Sequence, residues 1–219
     1  MDEELLAAAR AAIGFMPDEE GLALHNAGLA GAHHGPLLEI GSYCGKSAIY
    51  LGAAARHGGT ILFTVDHHRG SEENQSGWTN HDERLVDPRT GRMDTLPFFR
   101  RTIEDAGLED VVVAIIGGSP TVAVHWTTPL GLLFIDGGHA EDVALADYEG
   151  WARHLVPGGL LVIHDVFEDP AEGGQAPFHV WQRAVSDGFE PTTTTGSLRV
   201  LHAPAPGADD GYFRSPQSL

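Results

Sequence analysis

Residues 37–47 read Leu-Leu-Glu-Ile-Gly-Ser-Tyr-Cys-Gly-Lys-Ser, and this stretch decides the fold. The apolar run predicts a buried strand that ends in an acid, and the glycines predict a turn. Apolar residues at helical spacing over 46–57 predict the next helix. Gly41 and Gly45 allow backbone torsions and close contacts that a side chain would block, and the helix start points free N–H groups at the turn. This arrangement is typical of a site for a nucleoside cofactor.

The spacing of the turn argues against two other kinds of nucleotide site. A P-loop places four residues between its first glycine and Gly-Lys-Ser, whereas only three separate Gly41 from Gly45. A dinucleotide site needs a middle glycine, and Tyr43 stands at that position. The remaining pattern, Glu-x-Gly-x-x-x-Gly, resembles motif I of class I S-adenosylmethionine (SAM) methyltransferases. The resemblance implies that the glycines leave room for the methionine arm of SAM, with Glu39 beneath them.

Four further apolar segments end in a turn or an acid. The second strand ends at Asp66, the third is followed by the turn 117–119, the fourth ends at Asp136 and the fifth ends at His164 and Asp165. Ligands of open α/β sheets bind at the edge formed by the carboxyl ends of the strands. We therefore expect Asp66 to accept hydrogen bonds from ribose hydroxyls and the turn to lie beside adenine.

Strands alternate with helical patterns through the body of the chain, which predicts an α/β fold with a parallel, doubly wound sheet. Combined with the resemblance, the expectation is a Rossmann-like, mostly parallel seven-stranded sheet with a last antiparallel pair near residues 189 and 197–201. Helices are predicted over 3–13, 18–31, 46–57, 95–106, 141–155 and 177–187. The first two form an N-terminal extension (1–32), expected to serve as a flap or a dimer contact. One domain is predicted over 1–204, followed by a flexible tail (205–219).

The segment 67–94 is polar and too long for a simple connection between strands. Long loops of this kind are usually lids, binding loops or disorder. Because it carries Trp78 among several His and Arg residues, we expect a lid that faces the substrate or a metal. The alternative is a flexible surface loop.

Composition limits the partners and the compartment. The net charge is −18, from 13 Lys and Arg against 31 Asp and Glu, which argues against nucleic acid or an anionic membrane as a partner. The acidity hints at a neutral or cationic small-molecule acceptor. A single cysteine, Cys44, excludes an intramolecular disulfide and suits a reducing compartment. With an acidic start and no apolar run of the length of a membrane span, a cytoplasmic protein is expected.

Acidic and histidine side chains at the predicted strand ends are candidates for the chemistry. Carboxylates at the ends of neighbouring strands, Asp136 and Asp165, suit a hard divalent cation such as Mg²⁺. His164, Glu72 or Glu73 would complete its shell. His139, three residues after Asp136, is placed to act as a general base. The plainer alternatives are that the aspartates cap local backbone and that His164 is a structural hydrogen-bonding group.

A narrower resemblance rests on LLEIGSYCGKSA, TVDHH, FIDGGHAEDVALADYEGWARHLVPGG and IHDV, spread over residues 37–166. Together they resemble the group that includes macrocin-type sugar O-methyltransferases and cephalosporin-hydroxylase-like proteins. The resemblance implies a divalent cation on Asp136 and Asp165 with His139 as the base, and His164 stands where the family has the first of two paired aspartates. It also implies SAM contacts from Glu39, Gly41, Ser42, Tyr43, Gly45, Ser47, Asp66, His67, Ser119 and Asp136. The loop sequence DHHRGSEENQSGW further resembles mycobacterial enzymes that methylate the 1-hydroxyl of mannosides in methylmannose polysaccharide synthesis.

The expected function is a SAM-dependent, divalent-metal-assisted O-methyltransferase that acts on a sugar hydroxyl. One alternative keeps the methyltransferase but gives it a non-sugar natural product as acceptor. Another is a metal-dependent oxygenase that binds iron through His139, His164 and Asp165. The third is a SAM-binding regulatory subunit without catalytic activity.

Overall fold

The computed structural model describes residues 1–75, 77–78 and 81–205. Within them the chain forms a seven-stranded sheet and a separate two-stranded hairpin. The strands are β1 (Leu37–Ile40), β2 (Leu62–Asp66), β3 (Val86–Asp87), β4 (Arg92–Met93), β5 (Val112–Ile116), β6 (Leu130–Ile135), β7 (Leu155–Ile163), β8 (Glu190–Thr195) and β9 (Leu198–His202). Strands β3 and β4 make the hairpin.

The order across the large sheet is β5-β2-β1-β6-β7-β9-β8. The first five strands run parallel, and β9 is antiparallel to both of its neighbours. The predicted Rossmann-like, mostly parallel seven-stranded fold is confirmed, together with its antiparallel pair. Because the parallel strands point the same way, Asp66, which ends β2, lies at the same edge of the sheet as Asp136 and Asp165, which follow β6 and β7.

The α-helices are α1 (Glu3–Ala11), α2 (Asp18–Ala32), α3 (Lys46–Gly58), α4 (Leu96–Asp105), α5 (Ser119–Ala123), α6 (Glu141–Trp151) and α7 (Ala176–Ser186). All except α5 were predicted from helical spacing. The turn expected over 117–119 leads directly into α5, which has a proline in its first turn. None of the helices in the described residues combines the length and the hydropathy needed to cross a membrane.

The region between α6 and β7 differs from the prediction. The helix expected to reach residue 155 ends at Trp151, and β7 begins at Leu155 rather than at residue 160. Leu155 pairs with Leu130, after which the register shifts before the regular pairing resumes at Leu160. Pro157 and the left-handed Gly158 (φ +76°) are incompatible with helix, so the chain turns into the sheet early.

Helices cover the sheet on both faces. One buried cluster includes Leu37 and Tyr50 and involves α1, α2 and α3, and the other includes Leu38 and Trp151 and involves α6 and α7. Neighbouring residues of β1 thus point to opposite cores, as the pleat of a strand requires. Helix α2 lies close against α3, since a Cβ added at Gly21 would overlap the ring of Tyr50. This packing fixes the first turn of α2 beside the carboxyl edge of the sheet.

The segment 67–94 has more structure than a simple loop. It contains two short 3₁₀ helices (Glu72–Asn74 and Glu83–Leu85) and the β3–β4 hairpin. Residues 76, 79 and 80 of this segment, and residues 206–219 of the predicted tail, lie outside the described residues.

Candidate active site

A cavity of about 780 Å³ lies at the carboxyl edge of the sheet. Its wall includes Gly41, Tyr43, Asp66, His67, Ser119 and Asp136 among the predicted cofactor residues. Ser42 and Ser47 line an adjoining cavity of about 280 Å³ instead. Glu39 and Gly45 line neither cavity, so most of the predicted residues come together, and these two lie behind the wall.

The glycine turn is held by Asp66. The backbone N–H groups of Ser42 and Tyr43 each donate to Asp66 Oδ2 at 2.9 Å, and His68 N–H donates to Oδ1. Tyr43 adopts a left-handed conformation with φ of 46°, a strained geometry for a non-glycine residue. A Cβ at Gly41 would collide with the carbonyl oxygen of Asp136. The turn is therefore tied to both neighbouring strand ends, and Asp66 still faces the cavity.

Glu39 is completely buried beneath this turn. Ser47 donates its hydroxyl hydrogen to Glu39 Oε1, and Oε2 has no hydrogen-bond partner among the described residues. Burial raises the pKa of Glu39 to about 8, opposed by the Ser47 hydroxyl and reinforced by the negative charge of Asp136. Glu39 thus supports the turn from inside the protein.

Asp147 on α6 also lines the large cavity, and the sequence analysis missed it. The residue is only 2% exposed, and its Oδ1 has no hydrogen-bond partner among the described residues. Helical spacing contained a signal, because Ala144, Asp147, Tyr148 and Trp151 form one buried face of α6. An acid within such an apolar face is unusual and indicates a functional position.

Three side chains at the strand ends can together hold a cation. Ligand atoms of Asp136, His139 and Asp165 all lie within 4.8 Å of one another. His139 Nε2 is 3.3 Å from Asp165 Oδ2, and the three side chains are 22–32% exposed. Asp165 is held in a left-handed conformation with φ of 55°. The predicted strand-end aspartates and His139 are thus neighbours in space.

His164 lies outside this group and has a different environment. Its Nδ1 is 3.0 Å from Asp136 Oδ1, and its Nε2 is 2.7 Å from Glu20 Oε2. Burial alone would lower the pKa of His164, but the Asp136 and Glu20 carboxylates outweigh it and raise the pKa to about 11. A protonated imidazole has no lone pair for a metal. Both ring nitrogens of His164 face carboxylates here, which is the geometry of the plainer hydrogen-bonding role, and its role as a metal ligand stays a prediction.

Glu20 is the second residue that sequence reasoning missed. It is 4% exposed, and it also accepts hydrogen bonds from the backbone N–H of Ser197 at 2.6 Å and from the Ser197 hydroxyl. These contacts connect α2 to the end of β7 and to the β8–β9 turn. No local pattern signals them, since Asp18, Glu19 and Glu20 read as the acidic first turn of an exposed helix.

A third cavity, of about 710 Å³, lies beside the end of β7 and the β8–β9 turn. Phe15 and Phe167 supply aromatic surface, and Phe15 is 63% exposed. Acidic side chains predominate around it, namely Glu20, Asp165, Glu168, Asp169 and Glu172, with Arg199 as a cationic side chain. The 280 Å³ cavity shares Phe15, His164 and Asp165 with this one, and Asp136 and His139 with the large cavity. The group formed by Asp136, His139 and Asp165 therefore stands between two open spaces.

The described residues fit both a divalent cation and SAM, the two bound groups that the sequence suggested. Two carboxylates and one imidazole form a donor set that suits Mg²⁺ or Mn²⁺. The large cavity has the size of a small-molecule site and contains one orphaned buried oxygen, Asp147 Oδ1. A Cβ at Gly118 would meet only the Thr121 hydroxyl, at 3.9 Å, which leaves that end of the cavity open.

Comparison with known proteins agrees with this arrangement. A family model described as "Methyltransferase domain" matches residues 38–166. The crystal structure of cofactor-bound Rv0187 from MTB has a TM-score of 0.63 at 20% identity, covering 92% of this chain and 88% of that one. The O-methyltransferase TomG from Streptomyces achromogenes, in complex with SAM, has a TM-score of 0.61 at 19% identity, with coverages of 94% and 91%. The O-methyltransferase from Bacillus cereus, in complex with S-adenosylhomocysteine (SAH), has a TM-score of 0.60 at 19% identity, with coverages of 93% and 92%. The chain shares the fold of these three proteins.

Proposed function

The chain belongs to the methyltransferase domain family, and from this premise we propose that it is a SAM-dependent, divalent-cation-assisted O-methyltransferase. The observation that carries the proposal is the position of the Asp136, His139 and Asp165 group between the large cavity and the cavities of about 280 Å³ and 710 Å³. We call these two the acceptor-side cavities. A methyl donor in the large cavity and a methyl acceptor in the neighbouring cavities would meet at these side chains.

The large cavity is the proposed SAM site. SAM, when bound, supplies a methyl group on a positively charged sulfonium. Asp66 offers carboxylate oxygen to the ribose hydroxyls while it holds the N–H groups of the glycine turn. Gly41 and Tyr43 form the wall beside the methionine arm, with Asp136 at the same end. The solved O-methyltransferases with SAM or SAH bound support this assignment.

Asp136 and Asp165 are the proposed cation ligands. A divalent cation held there would lower the pKa of an acceptor hydroxyl. His139 is the proposed base, which takes the hydroxyl proton. Asp165 Oδ2, 3.3 Å from His139 Nε2, orients the imidazole and stabilises the imidazolium that forms. Fixing the acceptor oxygen in line with the methyl group contributes much of the rate.

His164 is proposed as a positioning residue. It holds Asp136 through Nδ1 and is itself held by Glu20 through Nε2. Its positive charge partly balances the acids gathered at the strand ends. The contacts of His164 weigh against the oxygenase alternative, because both of its ring nitrogens face carboxylates.

The proposed acceptor is a sugar hydroxyl. Phe15 and Phe167 give flat apolar surface of the kind that packs on the C–H face of a sugar, and the surrounding acids disfavour an anionic acceptor. The likeness of DHHRGSEENQSGW (residues 66–78) to mannoside methyltransferases points to a mannoside in polysaccharide synthesis. In this proposal Trp78, which lines the large cavity at 52% exposure, belongs to a lid.

Isothermal titration with SAH, with and without EDTA, followed by Mg²⁺ and short mannosides, tests the proposal in separable parts. SAH binding supports the cofactor assignment, and mannoside binding that requires Mg²⁺ supports the cation-held sugar. An absence of SAH binding would contradict the cofactor assignment. If the protein binds SAH but binds none of the mannosides, other natural products become the candidate acceptors.

A further inference from the structure

Asp147 places a buried carboxylate at the wall of the large cavity. Its Oδ1 is buried and unpartnered among the described residues, although the residue lines a cavity of about 780 Å³. An unpartnered buried polar atom destabilises a fold, so such an atom at a cavity wall points to a missing donor. The carboxyl also packs on Gly137, where a Cβ would come within 2.9 Å of Oδ2.

The neighbours of Asp147 leave its carboxylate able to accept a further hydrogen bond. Trp151 Nε1 donates to Ser119 Oγ at 2.8 Å, which leaves the hydroxyl hydrogen of Ser119 available to the Asp147 carboxyl. Burial raises the pKa of Asp147 to about 6, while the Ser119 hydroxyl and the charge of His67 oppose the rise. Near neutral pH the carboxylate is thus mostly ionised and acceptor-only.

The position of Asp147 along the cavity identifies the part of the ligand that reaches it. Asp136 and Gly41 mark the end next to the cation-binding group, and Asp66 lies at the tip of β2. Ser119 marks the other end, at the turn after β5, because β5 pairs with β2 on the side away from β1 and β6. Asp147 lies between this end and Gly137, since the Ser119 hydroxyl hydrogen-bonds to its carboxyl and its Oδ2 packs on Gly137. A nucleoside whose ribose lies at Asp66 would extend its base toward this end.

Resting on the proposed SAM site, we propose that Asp147 Oδ1 accepts a hydrogen bond from the 6-amino group of adenine and thereby selects adenine over a 6-oxo purine. Ser119 then positions Asp147 rather than acting alone as the adenine contact.

Titration calorimetry with SAH and with S-inosylhomocysteine, which carries oxygen in place of the amino group, tests this. The full-length protein should bind the inosine analogue about 10- to 100-fold more weakly, because two acceptors would then face each other. Asp147→Asn should reduce or reverse this ratio, since its amide can donate to the 6-oxygen. Glu149→Gln removes an exposed acid from the same helix, away from the cavity wall, and should leave the ratio unchanged.

A second measurement uses the unaltered protein and serves if Asp147→Asn fails to fold. Proton exchange on binding is measured at pH 6 in buffers of different ionisation enthalpy. SAH should release protons relative to the inosine analogue, because the amino group favours the carboxylate and the 6-oxygen favours the protonated acid. Both ligands leave His67 and the ribose contacts the same, so that difference reports on the 6-position. Equal affinities of the two ligands, an unchanged ratio in Asp147→Asn, or identical proton exchange would overturn the inference even where SAH binds well.

Discussion

Glu20 and His164 are 144 positions apart in the chain and are joined by a 2.7 Å contact between Oε2 and Nε2, with both side chains nearly inaccessible. The other ring nitrogen of His164 faces Asp136. A carboxylate–imidazolium–carboxylate chain, buried at Glu20 and His164, thus connects the first turn of α2 with the proposed cation site.

Removing the Glu20 carboxylate is expected to destabilise the fold. Glu20→Gln keeps the shape but leaves His164 with one fewer counter-charge, so the free energy of unfolding should fall by about 3–5 kcal/mol. Urea denaturation measures it, and Glu19→Gln, on the exposed side of the same turn, is the control. If both variants unfold at the same urea concentration, the buried chain contributes little.

His139→Ala is expected to keep SAH affinity and to lower kcat by about 10²- to 10⁴-fold, because a general base typically contributes that much. Single-turnover assays with a competent acceptor separate this from binding. His57→Ala, an exposed histidine on α3, should behave as the unaltered enzyme. Near-normal turnover of His139→Ala would remove His139 from the mechanism.

The strand ends could be predicted because their signals are local. An apolar run followed by an acid gives both the strand and its last side chain, and parallel connectivity places Asp66, Asp136 and Asp165 at one edge. The neighbours of those side chains could not be predicted in the same way. Glu20 reaches its partners only after α2 packs on the sheet, and Asp147 gains meaning only from the cavity it lines.

His164 shows a second limit of sequence reasoning. Beside Asp165 at a strand end, a histidine reads as a metal ligand. Whether it carries one proton or two depends on carboxylates that approach both ring nitrogens, and one of them comes from a distant helix. Residue type therefore indicates where His164 lies but does not reveal the carboxylates that surround it.

Asp165→Asn and Asp136→Asn are each expected to weaken Mn²⁺ binding by at least about tenfold, because a neutral amide replaces an anionic ligand. Electron paramagnetic resonance of free Mn²⁺ gives the affinities directly and needs no acceptor. Asp169→Asn changes an exposed acid of the neighbouring cavity and serves as the matched control. Loss of affinity in all three variants would indicate diffuse attraction by the acidic surface rather than a site.

Phe15→Ala is expected to raise the KM for the acceptor about two- to tenfold and to leave SAH affinity unchanged, because Phe15 lines the acceptor-side cavities and not the large one. Initial rates at varied acceptor concentration measure it. Val124→Ala removes an exposed apolar side chain elsewhere and should have no effect on KM. An unchanged KM in Phe15→Ala would place the acceptor elsewhere.

Glu39 gives a prediction for stability against pH. Because burial raises its pKa from 4.5 to about 8, the folded protein holds a proton on Glu39 that the unfolded chain releases above pH 4.5. The contribution of Glu39 to stability is therefore full below pH 4.5 and is progressively lost as the pH rises toward 8. Glu39→Gln, which is always neutral, should match the unaltered protein near pH 4.5 and exceed its free energy of unfolding by on the order of 2–4 kcal/mol at pH 8.

Urea denaturation across this range, with the exposed Glu104→Gln as control, measures the difference between the curves. Parallel curves for Glu39→Gln and the unaltered protein would mean that Glu39 is ionised in the fold at neutral pH, and that the turn above it tolerates a buried charge.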